Sequence, residues 1–195
     1  GKSKTTDVGI VHRPGFADQT AYAGAAAIKI LDFFEEYYGI DYPGSKLDLI
    51  AVPDFAMGAM ENVGAVTFRE TLLLIDVEKA TRSELSRSIS VIAHELAHMW
   101  FGDLVTMDWW DGIWLNEAFA SLMEVIASEA TYPEFKLWNE MNQDRSRGFG
   151  VDSLKSSRPV EFEVKSPEEA EEMFDVLTYQ KGSTVLRMFE TFIGE

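Results

Sequence analysis

Two histidines set four residues apart around a glutamate, in the run HELAH from His94 to His98, have types and spacing that could do chemistry. On an α-helix that spacing stacks both imidazoles on one face, where they can reach a single ion. Zinc favours neutral imidazole nitrogens joined by a carboxylate, and a catalytic site keeps its fourth position for water. Glu95 projects beside the pair, where it can take a proton from a water whose pKa the metal lowers to about 7. The plain alternative is two core histidines flanking an incidental glutamate. Against it stand the scarcity of histidine, three in the whole chain, and a glutamate at the hydrolytic position of a strongly amphipathic segment. His12, the third histidine, falls in a short strand and is read as structural. With no cysteine, ligands must come from His, Asp and Glu. Glu117, in WLNEAFA, follows His98 after eighteen intervening residues, a distance that suits a helix, a loop and a return helix. Glu124 and Glu129 lie a turn or more further on and are read as surface acids or as groups behind the ligands. Asp103 is a candidate to orient a ligand histidine through its outer nitrogen.

The elements that must position these residues follow from periodicity. Thr81, Arg82, Ser83 and Glu84 spell a capping box, and Leu85, Ile89, Ile92, Leu96 and Trp100 recur at helical spacing, so the HELAH run lies on a helix ending near Gly102. A tryptophan-rich loop around Trp109 and Trp110 leads to a second helix carrying NEAFASLMEVIASEA. A third helix starts at Pro133 and stops at Gly148. Residues 150–166 read as an irregular connection. Ser166, Pro167 and Glu169 signal another helix start, and TVLRMFETFIG forms a last amphipathic segment. Before all this, VGIVHRP reads as a strand, Asp18 caps a helix that stops at Gly39, and KLDLIAVP is a strand ending at Pro53. GAVTFRETLLLID reads as two short strands around Arg69 and Glu70. The first third is thus mixed α and β.

Composition narrows the partners. The chain has 195 residues, 46% hydrophobic, enough to bury one sizeable core. A formal charge of −16 argues against nucleic acid and anionic membrane surfaces and suits cationic or amine-bearing partners. No apolar run approaches the roughly 20 residues of a membrane span, and the polar start has no signal-peptide core, so the expectation is a soluble protein with the cytoplasm as default compartment. The acidic run from Glu161 to Asp175 reads as a solvated face.

HELAH, the eighteen-residue gap and Glu117 together resemble the zinc aminopeptidases of the aminopeptidase N type, also called gluzincin aminopeptidases. The run GAMEN, from Gly58 to Asn62, is the second matching motif, and FDVLTYQKG, from Phe174 to Gly182, the third. The wording of PDF, GAMEN and TFRE is similar to the branch that contains puromycin-sensitive and tricorn-interacting aminopeptidases. The resemblance implies one zinc held by His94, His98 and Glu117, with Glu95 polarising the water. It implies that GAMEN binds substrate through Gly58, Ala59, Met60, Glu61 and Asn62, with Glu61 on the free α-ammonium and the backbone of Gly58 and Ala59 pairing with peptide along an edge strand. Tyr179 would donate a hydrogen bond to the tetrahedral oxyanion. A buried carboxylate facing an ammonium makes a charge-assisted contact that an interior peptide bond cannot make, which is how an exopeptidase counts from the terminus.

The implied fold class is α+β, a thermolysin-like zinc peptidase catalytic domain. A mixed α/β lobe over residues 1–80 would carry GAMEN, and a helical zinc-binding lobe would occupy 81–195. The family's N- and C-terminal domains are expected to be absent, leaving the ammonium pocket open on one side. Val63, Met99 and Ala118 depart from the family's usual tryptophan, glutamine and glycine; no ligand is lost, and Val63 and Met57 are expected near the first substrate residue. Three rivals remain. They are a thermolysin-type endopeptidase, which GAMEN argues against, the epoxide-hydrolysing branch of the same family, and a module with structural zinc, which would need a fourth protein ligand.

Overall fold

The computed structural model describes residues 1–194. Its first part runs through strand β1 (Asp7–Val11), helix α1 (Ala21–Tyr38), strands β2 (Lys46–Val52), β3 (Ala59–Met60) and β4 (Ala65–Arg69), and one helical turn, α2 (Glu70–Leu73). The four strands form one sheet in the order β1-β2-β4-β3. β1, β2 and β4 are parallel, and β3 lies antiparallel to β4 at the edge, with Ala59 opposite Phe68 and Met60 opposite Thr67.

Helix α1 makes the crossover that parallel strands β1 and β2 require. Its Ala23, Ala26, Ala27, Ile30, Leu31 and Phe34 recur at helical spacing and are fully buried. The alanines let it lie close to its neighbours, and Phe34 meets the Trp100 ring at 5.8 Å between centroids. It stops where expected: Gly39 adopts the left-handed conformation with φ 63°, which a residue with a Cβ resists. Its start differs from the expectation. Asp18 sits in a short 3-10 turn, Ala17–Gln19, that winds directly into α1 through a helical Thr20, leaving no extended residue to act as a cap.

Only one of the two strands expected around Arg69 and Glu70 forms. Leu72, Leu73 and Leu74 follow one another without a period, and the turn of α2 buries Leu73 completely while Arg13 grips Glu70 at 2.9 Å and 3.1 Å.

Among the described residues every regular element after this point is helical, including α3 (Arg82–His98), α4 (Ile113–Thr131), α5 (Leu137–Asp152), α6 (Pro167–Glu171) and α7 (Gly182–Ile193), with a wide π-helical turn at Leu177–Lys181 before the last. The capping box of α3 is present. Glu84 N–H donates to Thr81 Oγ1 at 3.2 Å, and Thr81 N–H donates to the Glu84 carboxylate at 2.7 Å, a cap worth about 1 kcal/mol. Ile89, Ile92 and Leu96 of α3 are fully buried against α1 and the sheet. The helix ends at His98, four residues before Gly102: Met99 and Trp100 tighten to bonds with the third residue back, and Gly102 at φ 135° then bends the chain away.

Helix α5 runs past Gly148, the expected stop. That glycine is buried where α5 crosses the π turn, its φ is an ordinary helical one, and the helix continues through it to Asp152. Residues 153–166 are irregular, as expected, but tied down: Trp109 Nε1 donates to the Val164 carbonyl at 2.7 Å. Ser166 caps α6. The glutamates from Glu161 to Glu172 face solvent, and only Asp175 is drawn inward. Among the described residues no helix is long and apolar enough to cross a membrane.

Candidate metal centre and catalytic cleft

Helices α3 and α4 pack side by side and bring the candidate ligands together from opposite sides. One nitrogen each of His94 and His98 and one carboxylate oxygen of Glu117 lie within 4.8 Å of one another. Glu117 Oε2 is 3.2 Å from His94 Nε2 and 3.6 Å from His98 Nε2. His98 and Glu117 are buried, at 1% and 5% exposure, so the donor set is held away from bulk water. Burial opposes charge on Glu117, yet its bonds to both histidines hold the carboxyl well below the usual range. Burial likewise opposes charge on His94, and its bonds to Glu117 and Glu124 outweigh it, raising the imidazole well above its ordinary value. Two imidazole nitrogens and an anionic carboxylate converging on one point are a donor set that could hold a metal ion.

The outward nitrogens of both rings are also occupied. His94 Nδ1 bonds Glu124 at 3.0 Å, while His98 Nδ1 lies 3.1 Å from Asn116 Oδ1 and 3.2 Å from the Phe101 carbonyl. Each ring therefore presents its Nε2 to the centre in a fixed orientation. Asn116 also donates to Glu117 Oε1 at 3.3 Å, linking two of the three candidate ligands. Gly102 makes this possible: a Cβ there would fall 2.5 Å from Asn116 Oδ1 and 3.0 Å from His98 Nδ1. Asp103, the candidate to orient a ligand histidine, bonds neither ring. The bend at Gly102 gives that place to Asn116, and Asp103 Oδ2 is left buried without a partner, its carboxyl pushed up to about 6 by burial and by Glu61. Of the two acids left open as surface groups or groups behind the ligands, Glu124 stands behind His94 and Glu129 does not. Asn116 was not singled out by the sequence, and its position one residue before Glu117 is the only signal it offered. His12 bonds the neighbouring Arg13 carbonyl and takes no part in the cluster.

Glu95 is buried beside the cluster. Burial pushes its carboxyl up to about 7, with Glu61 and Glu117 adding to the shift and the two histidines opposing it. Tyr179, on the π turn, brings its ring to 6.1 Å from that of His94. Burial and the carboxylates of Glu117, Glu95 and Glu61 push its phenol up, keeping it protonated and able to donate. GAMEN approaches from the other side: Ala59 and Met60 are the edge strand β3, and Glu61 follows it, close enough to shift Glu95, His98 and Tyr179 electrostatically. Asn62 turns back to its own strand pair, donating to the Met60 carbonyl at 3.4 Å and to Thr67 Oγ1 at 3.3 Å.

A cavity of about 360 Å³ opens beside His94, Glu95 and Tyr179. Its walls include Met57, Gly58 and Ala59 from the GAMEN side and Arg87 and Val91 from the preceding turns of α3. Val63 is exposed and lies outside this wall.

The model of the peptidase family M1 domain matches residues 22–195. The chain belongs to peptidase family M1. This M1 chain is 49% identical over 193 residues to endoplasmic reticulum aminopeptidase 2 of Homo sapiens, covering 99% of the chain and 20% of that protein. It is 46% identical to aminopeptidase M1 of Arabidopsis thaliana, covering 92% of the chain and 20% of that protein. It is also 46% identical to the puromycin-sensitive aminopeptidase of Caenorhabditis elegans, covering 93% of the chain and 19% of that protein. The chain thus spans about a fifth of the length of the curated relatives it matches.

The hydrogen bonds behind the M1 donor set lead to a first expectation. Asn116→Ala removes the group that fixes the His98 tautomer and braces Glu117, and Glu124→Ala frees the His94 ring. Each is expected to weaken binding of a divalent metal ion by about tenfold to a hundredfold, as read by competition with a chromogenic chelator. Wild-type affinity in both variants would mean that these bonds do not orient the rings.

Proposed function

We propose that this chain is the zinc-bearing part of a catalytic domain with a thermolysin-like fold, the mixed lobe at 1–80 and the helical lobe at 81–195. Its proposed activity is that of an aminopeptidase, which removes residues one at a time from the free N-terminus of peptides. The observation that carries this reading is the convergence of the His94, His98 and Glu117 donors, Glu95 and Tyr179 near the end of the edge strand Ala59–Met60, which Glu61 follows. His94, His98 and Glu117 would hold zinc, which when bound supplies Lewis-acid polarisation of the scissile carbonyl and acidifies the attacking water.

The remaining work falls to side chains of the chain itself. Glu95 takes the proton of the attacking water and returns it to the leaving amine, a task suited to a buried carboxyl poised near neutrality. The Tyr179 phenol, kept protonated by its surroundings, donates to the oxygen on which negative charge develops. Glu61 takes the α-ammonium. An edge strand accepts a peptide most simply in the antiparallel sense, as β4 already pairs on the other side of β3. With the amine at Glu61, such a peptide runs past Met60, Ala59 and Gly58, so the portion beyond the scissile bond enters the cavity lined by Met57, Arg87 and Val91. Two further facts support an exopeptidase over an endopeptidase: a carboxylate ends the strand, and the similar proteins bear the names of aminopeptidases.

The test is blockage of the amine. In the full-length enzyme, N-acetylation of a peptide is expected to reduce kcat/KM by about a hundredfold or more, because a desolvated charge-assisted contact is lost and a carboxylate is left unpaired. Glu61→Ala should raise KM for free peptides and narrow the gap between free and acetylated substrates. Comparable rates on both substrates in the wild type would favour the endopeptidase.

A further inference from the structure

The turn that carries Tyr179 is unusual, and what holds it in shape lies outside the cleft. Residues Leu177–Lys181 form a π-helical turn, a wide single turn that a chain adopts only where something stabilises it against the tighter α-helix. Its start is capped by one oxygen: Asp175 Oδ1 accepts the backbone N–H groups of Leu177 and Thr178, both at 3.0 Å. The Tyr179 N–H donates to the Asp175 carbonyl at 3.1 Å.

Arg158, in the irregular stretch before α6, grips this cap. Its Nη2 donates to Asp175 Oδ1 at 2.7 Å and to Thr178 Oγ1 at 3.0 Å. Thr178, the residue next to Tyr179, is fully buried. The carbonyl of Arg158 in turn accepts from Lys181 Nζ at 3.1 Å, and Lys181 pairs with Asp152 at 2.7 Å. The start, middle and end of the turn are therefore tied to one residue. The Arg158 side chain is 14% exposed and that of Asp175 40%, so the ion pair is shielded on the arginine side, where Nη2 also reaches the Met173 carbonyl and Nη1 the Pro159 carbonyl. Neither Arg158 nor Asp175 lines the cavity, whereas Tyr179 does.

We propose that Arg158 and Asp175 are positioning residues that set the place of the Tyr179 hydroxyl. The inference rests on the reading of Tyr179 as oxyanion donor given above. Freed from the clamp, the turn can tighten into α-helix, which re-registers Tyr179 around the helix axis. Misplacing a catalytic group by about 1 Å costs on the order of a hundredfold in rate.

A double-mutant cycle in the full-length enzyme tests this. Arg158→Met is expected to lower kcat by about tenfold to a hundredfold with KM within about twofold, and Arg158→Lys, which keeps one donor, should recover part of the loss. In a Tyr179→Phe background, Arg158→Met should cost less than about twofold more, since a misplaced ring without its hydroxyl has nothing further to lose. Affinity for a phosphinic dipeptide analogue with a free amine, measured by calorimetry, should fall in the same pattern. Should Arg158→Met fail to fold, Asp175→Asn is put through the same cycle, because it keeps an acceptor for the two amides and loses the ion pair. Additive losses in the double variant, or a raised KM with kcat intact, overturn the inference alone. Full kcat in Tyr179→Phe by itself overturns the oxyanion reading and the inference with it.

Discussion

Glu95→Gln is expected to abolish turnover in the full-length enzyme while zinc stays bound. Glutamine keeps the size of the buried side chain and can still accept a hydrogen bond, but it takes no proton at neutral pH. Glu95 is not among the donors that converge on the metal position, so metal content should match wild type. His98→Ala, by contrast, removes a donor and should lose the metal. A positioned general base contributes about 10²- to 10⁴-fold. In the proposed mechanism one carboxyl both accepts the proton and returns it, so a loss of at least about a thousandfold in kcat is expected. Rates on an aminoacyl anilide, taken beside zinc analysis of the same sample, check both halves. Retained activity with full zinc would remove Glu95 from the proton-transfer path.

What could be read from the sequence was local chemistry. The Thr81–Glu84 box and Gly39 act where they stand, through their own backbone neighbours, and both do in the fold what the sequence says. The pairing of His94 with His98 follows from helical geometry alone, and Glu117 follows from a return helix of workable length. GAMEN was legible as a motif, and its place on an edge strand agrees with the sheet order. Features that depend on two distant segments meeting were not legible. Gly148 carries a stop signal, yet it lies against Gln180, thirty-two residues on, and α5 continues through it to Asp152. Asp103 and Asn116 are both plausible partners for His98. The choice between them is made by the backbone bend at Gly102, which no periodicity reports. Arg158 lay in a stretch without a pattern, and its role is visible only once the π turn it grips is in view.

Tyr179→Phe is expected to lower kcat by about a hundredfold to a thousandfold in the full-length enzyme, with KM little changed and zinc content unaltered. A neutral carbonyl gains little from one more donor, whereas the tetrahedral oxygen carries a developing charge, so in the proposed mechanism the phenol acts mainly in the transition state. The lost factor corresponds to about 2.7–4 kcal/mol, the usual cost of one oxyanion donor. The fold supports a donor of fixed position. Gly182 follows the turn so closely that a Cβ there would fall 2.6 Å from the Ala118 Cβ, one residue after Glu117, which locks the end of the turn onto the helix bearing the third donor. The Ala118 Cβ uses up the last of that space, so the close approach depends on Gly182. The chemical state also favours donation: burial and three carboxylates hold the phenol protonated throughout the neutral range. Phenylalanine keeps the ring against His94 and removes only the hydroxyl, so a structural effect should be small, and a thermal midpoint close to wild type checks that. A Phe variant that raises KM and leaves kcat intact would make Tyr179 a ground-state binding or packing residue, and the oxyanion would need a different donor.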